Sequence, residues 1–108
     1  MSLDFYLEET QPVSVFDANI THNLNTMASK AGLHDALWRP EKFGPDPEGR
    51  DLIDALQTGL AKMIADPERF KKHNPENGWG DYHALVRFAT NVLAACEEHP
   101  DAKVRVSR

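Results

Sequence analysis

The chain has 108 residues, of which 41% are hydrophobic and 27% charged, and its formal net charge is −5. That size and balance suit one folded domain and exclude the apolar-poor class of disordered chains. The excess of acid excludes a broad basic footprint for duplex nucleic acid or an anionic membrane, because both need clustered Lys and Arg.

Residues 3–8 alternate, with Leu3, Phe5 and Leu7 on one side and Asp4, Tyr6 and Glu8 on the other. This two-residue period predicts a half-buried strand. After Gln11-Pro12, the β-branched and aromatic run Val13 to Phe16 predicts a short second strand. From Thr21 to about Trp38 apolar residues recur at three- and four-residue steps, beginning with Ile20, Leu24 and Met27, which predicts a helix capped by Asn19 or Thr21. Gly32 is expected to end or kink it, and Arg39-Pro40 to stop the short turn that follows. Residues 39–49 hold three prolines and two glycines and read as loop.

Leu52, Leu56, Leu60, Met63 and Ile64 mark an amphipathic helix from Asp51 to Ala65. Asp66-Pro67 reads as a cap and first-turn proline opening a short helix through Phe70 to about His73. A turn-rich stretch from Asn74 to Gly80 then leads to Asp81, placed to cap a last helix that runs to about Glu98. Ala102, Val104 and Val106 alternate with Lys103, Arg105 and Ser107, a terminal strand. A lone terminal strand is unstable unless it pairs, so the N- and C-terminal strands are expected to meet in one small sheet covered by three to four helices. The expected class is α+β, in a single domain spanning residues 1–108.

Met1 to Tyr6 includes Asp4 and no basic leader, and no apolar run approaches the roughly 20 residues that span a bilayer. Cys96 is the only cysteine, which excludes an internal disulfide and a structural cysteine zinc site. The expected compartment is the reducing cytoplasm, and Cys96, on the buried stripe of the last helix, is expected to be an inert core thiol.

Three polar or aromatic clusters stand outside the apolar stripes. Asn19, Thr21, His22 and Asn23 crowd hydrogen-bonding side chains around a helix start, more than capping needs. Trp38-Arg39 pairs an aromatic with a guanidinium, which suits a base and a phosphate, or else a core plug and an ion pair with Glu41. Asn77-Gly78-Trp79-Gly80 precedes a helix whose first amides can receive an anion, unless Asp81 already satisfies them. His83 and Arg87 lie one turn apart on the polar face of that helix.

Metal-ligand spacings are absent: there is no His-x-x-x-His pair and no His-Glu-x-x-His. Phosphate-loop, dinucleotide-glycine and Gly-x-Ser-x-Gly motifs are absent too, so no cofactor and no catalytic residue is expected.

Read together, Ala18-Asn19-Ile20-Thr21-His22-Asn23-Leu24, Leu37-Trp38-Arg39-Pro40-Glu41, Asn77-Gly78-Trp79-Gly80 and Leu85-Val86-Arg87-Phe88 resemble a family of small, uncharacterised bacteriophage and bacterial proteins. The resemblance implies a phage or prophage accessory protein with anti-defence work, such as sequestering a small host signal. The leading expectation is a binding module for a small polar or phosphorylated ligand, such as a nucleotide. Its site would be formed by Asn19, Thr21, His22, Asn23, Trp38, Arg39, Asn77, Trp79, His83 and Arg87. The alternative is a module that docks on a host protein, and an enzyme using His22 and His83 with Arg39 or Arg87 ranks third. A homo-oligomer is compatible with either of the first two, since a terminal strand can pair across a two-fold axis.

Overall fold

The alternation at the start of the chain is realised as β1, Ser2–Thr10, in a computed structural model that describes residues 2–10, 13–76, 78 and 80–108. Leu3, Phe5 and Leu7 are fully buried, while Asp4, Tyr6 and Glu8 face outward. β2, Val13–Thr21, and β3, Lys103–Ser107, flank β1 in an antiparallel sheet of order β2-β1-β3. The expected meeting of the two ends is direct: Phe5 pairs with Val106 and Leu7 with Val104.

β2 runs five residues past the strand predicted at Val13–Phe16, so Asn19 and Ile20 belong to a strand, while Thr21 ends that strand and caps the turn that follows. The cause is long-range. Leu3 pairs with Ile20 and Phe5 with Ala18, which buries Ile20 against the core and outweighs the local helical period. Near its start β2 is irregular, because Leu7 pairs with Phe16 but Glu8 with Ser14, leaving Val15 as an extra residue.

A 3-10 turn, His22–Leu24, leads into α1, Asn25–Ala31, and α2 follows at His34–Trp38. Gly32 ends the first helix as expected, and the short turn after it is α2. Gly32 adopts φ 79°, its amide donates to the Ser29 carbonyl at 3.1 Å, and the Leu33 amide donates to the Ala28 carbonyl at 2.8 Å. These two bonds form the left-handed glycine stop that closes a helix. Part of the predicted loop at 39–49 is a second 3-10 turn, Pro40–Phe43, started by a proline whose φ already suits it.

α3, Gly49–Ala65, is followed by α4, Pro67–Lys71, and α5, Tyr82–Glu98. Among the described residues there are five α-helices, the short α2 after Gly32 adding one to the expected three or four. Asp81 caps α5 as predicted, accepting from the Ala84 amide at 2.8 Å, whereas Asp66 makes no side-chain cap at α4.

α5 packs against β2 on one side and α3 on the other, with α1, α2 and α4 closing the core around α3. Met63 lies four residues before Pro67, which has no amide proton to return to the Met63 carbonyl. The Tyr82 hydroxyl donates to that carbonyl instead, at 2.7 Å, and so ties α5 to α3.

Candidate functional site

Between the outer edge of the sheet and α5 lies an open groove of about 210 Å³. Ala18, Asn19 and Ile20 of β2 line one wall, and Ala84, Arg87, Phe88 and Asn91 of α5 line the other. Neighbouring residues on a strand point to opposite faces, so a groove touching three in succession runs along the strand edge. Its floor is apolar where Ile20 and Phe88 are buried, and its rim is polar where Asn19, Arg87 and Asn91 are exposed.

Asn19 is held in place from β1. Its side-chain amide donates to the Ser2 hydroxyl at 3.0 Å and to an Asp4 carboxylate oxygen at 2.7 Å. Arg87 is different. Among the described residues it has no ion-pair or side-chain hydrogen-bond partner, and the helix around it, from Tyr82 to Cys96, contains no Asp or Glu. In a chain of net charge −5, that stretch carries only His83 and Arg87 as groups able to be cationic, and its local potential favours an anion.

The other predicted site residues are distributed differently. Trp38 is 2% exposed and plugs the core; its indole Nε1 donates to His22 Nδ1 at 2.8 Å, and the His34 ring stacks on it with centroids 5.8 Å apart and planes 2° apart. Thr21 caps the turn by accepting from the Asn23 amide at 3.2 Å, and Asn23 itself is exposed. Arg39 is exposed and faces Glu41 at 3.7 Å, the ion-pair alternative. His83 is exposed and lies edge-on to the Tyr82 ring. Asn77 and Trp79 lie outside the described residues.

Anion binding at the start of α5 meets a direct obstacle. The Ala84 amide is taken by Asp81, and the Tyr82 amide donates to the Asn74 side-chain oxygen at 2.8 Å. Gly80, with φ 92°, presses the incoming loop onto the end of β2, where an added Cβ would fall 2.8 Å from Thr21 Cγ2. The structure therefore brings Asn19 and Arg87 together in one groove and His22 and Trp38 together in another place, where they serve packing.

Five groove residues stand outside the site expected from the sequence: Ala18, Ile20, Ala84, Phe88 and Asn91. Asn91 was legible as a polar-face neighbour of Arg87, but the two alanines carry no chemical signal. A second hollow of about 210 Å³ is lined by Ser29, Gly32, His34 and Asp35. There His34 Nδ1 faces an Asp35 carboxylate oxygen at 3.2 Å, and Lys42, 3.4 Å from the same oxygen, helps hold that carboxyl below its usual range behind the larger effect of His34. Its charges are thus already paired.

Cys96 is buried, and burial pushes its thiol up to about 12. Among the described residues no three His, Cys, Asp or Glu side chains converge as a metal site requires, and no helix is long and apolar enough to cross a membrane. No protein-family model matches the chain, and neither a curated protein nor a solved structure does so.

Proposed function

We propose that this protein is a binding module that takes an anionic ligand in the groove between β2 and α5, with Arg87 as the receiving charge. One observation carries this reading: Arg87 lines an apolar-floored groove on a helix stretch free of acid and has no carboxylate partner among the described residues, unlike Lys103, Arg105 and Arg108. An arginine so placed can offer two parallel N–H donors to a carboxylate or phosphate. Binding is favoured over catalysis because two of the half-buried histidines are already engaged, His22 with Trp38 and His34 with Asp35, and neither lines the groove.

The test is a titration of 15N-labelled protein with inorganic phosphate, a panel of mono- and cyclic nucleotides, and an acidic peptide. At least one probe is expected to shift amide signals at residues 18–20 and 84–91. Arg87→Gln is expected to weaken that binding about tenfold or more, since a hydrogen bond to a charged group contributes about 1.5–3 kcal/mol. Silence of both segments toward every probe overturns the reading.

A further inference from the structure

We infer that the occupant of the groove is an acidic peptide segment in extended conformation, which joins the sheet as a fourth strand along β2. This rests on the reading of the groove given above and specifies its ligand.

The two edges of the sheet are treated differently. On the β3 side the chain covers its own edge: the Val104 amide donates to the Pro47 carbonyl at 2.9 Å, the Gly49 amide donates to the Ala102 carbonyl at 2.9 Å, and Glu48 bridges Lys103. Lys103 and Arg105 add charge there. On the other side, among the described residues, β2 pairs with β1 alone. Natural sheets protect free edges with Lys, Pro, bulges or a covering segment. From Val13 to Thr21 there is no Lys, Arg or Pro, and the irregularity at Val15 leaves Phe16 to Thr21 regularly paired on its inner side. Every second N–H and C=O of that stretch points away from β1, along the groove.

A strand laid on this edge would direct alternate side chains toward the helices and toward the open face. On the helix side it meets Phe88 and then Arg87 and Asn91, which suits an apolar residue and an acidic one. Arg87 and Asn91 are one turn apart, about 6 Å, close to the roughly 6.7 Å between same-face residues of a strand. On the open face it meets Asn19 and Asp17, with Asp4 one strand further in, so acid is disfavoured there and neutral polar residues fit. The expected peptide therefore alternates Glu or Val with Thr. Self-pairing through β2 is the poorer match, because it would set two α5 helices side by side, each with His83 and Arg87 and no acid from Tyr82 to Cys96.

The experiment uses the full chain and the acetylated, amidated peptide Thr-Glu-Thr-Val-Thr-Glu, together with two versions N-methylated at alternate amides, one set for each edge of the peptide strand. The expected result is binding that slows hydrogen exchange at alternate amides between Phe16 and Thr21. Binding should fall at least about tenfold in Arg87→Gln, and to a similar degree for one N-methylated version but not the other. Equal affinity of both N-methylated versions, or unchanged exchange in β2, overturns the added strand. So does binding of nucleotides or phosphate at Arg87 without the peptide, and in that case the anion-binding groove stands. A concentration-dependent dimer with β2 amides protected in the absence of peptide overturns it in favour of a second copy. If no anion of any kind perturbs the groove, both readings fall.

Discussion

The Trp38 indole N–H ends on His22 Nδ1 at 2.8 Å, and these residues sit sixteen positions apart, on either side of α1. Trp38 is almost wholly buried, so its one polar atom needs a partner inside the fold. His22 supplies it only with Nδ1 unprotonated, which puts the ring proton on Nε2. The pair joins the turn after β2 to the end of α2, and the stacked His34 closes the other side of the indole.

Replacing His22 by Ala strands that buried donor, and a loss of about 1–3 kcal/mol in unfolding free energy is expected. His34→Ala removes a stacked ring but no hydrogen bond to the indole, so a smaller loss of about 0.5–1.5 kcal/mol is expected. Urea unfolding of the two variants checks the order; a larger loss for His34→Ala contradicts it.

Tyr82→Phe withdraws the donor that replaces the missing amide of Pro67, leaving the Met63 carbonyl without that bond. The expected cost is about 1–3 kcal/mol. Burial also pushes the Tyr82 hydroxyl above its ordinary value of 10.0. The unfolded chain therefore ionises first, and the contribution is full below pH 10 and lost as pH rises through the folded-state value. Stability measured across this alkaline range is expected to fall less steeply in Tyr82→Phe than in the parent.

Cys96 offers a chemical probe of the same core. Its thiol is moved from 9.0 to about 12, so at pH 8 the folded protein presents almost no thiolate, and alkylation depends on opening. Labelling by a thiol reagent is expected to track global unfolding as urea is raised, with the unfolded chain reacting at the ordinary rate of a free cysteine. Rapid labelling without denaturant contradicts the burial.

Gly59 lies mid-helix in α3, where alanine is ordinarily better by about 1 kcal/mol. Here a Cβ would lie 2.4 Å from Leu33 Cδ2 and 2.6 Å from its Cγ. Leu33 is fully buried and fixed by the glycine stop at Gly32, so relief requires repacking. Gly59→Ala is expected to lower the thermal midpoint, with overpacking at about 1–3 kcal/mol outweighing the helical gain. An unchanged or raised midpoint in calorimetry contradicts that balance.

Alternation by twos at Leu3–Leu7 and Ala102–Val106, and the apolar stripes of α3 and α5, were plain in the chain because each element's own side chains decide which face it buries. Asp81 as a cap and Gly32 as a stop were equally local. By itself, then, the sequence determined the α+β class, the long helices and the inert placement of Cys96. The end of β2 was not legible: Asn19 to Thr21 fit a helix start by local preference, and only pairing of Ile20 with Leu3 makes them strand. Nor was the groove, whose walls come from segments more than sixty residues apart. Tertiary structure alone decided that Arg87 and Asn19 line one groove while Trp38 turns inward to His22, because the free energy of burying an indole or pairing a strand depends on what the rest of the chain brings beside it.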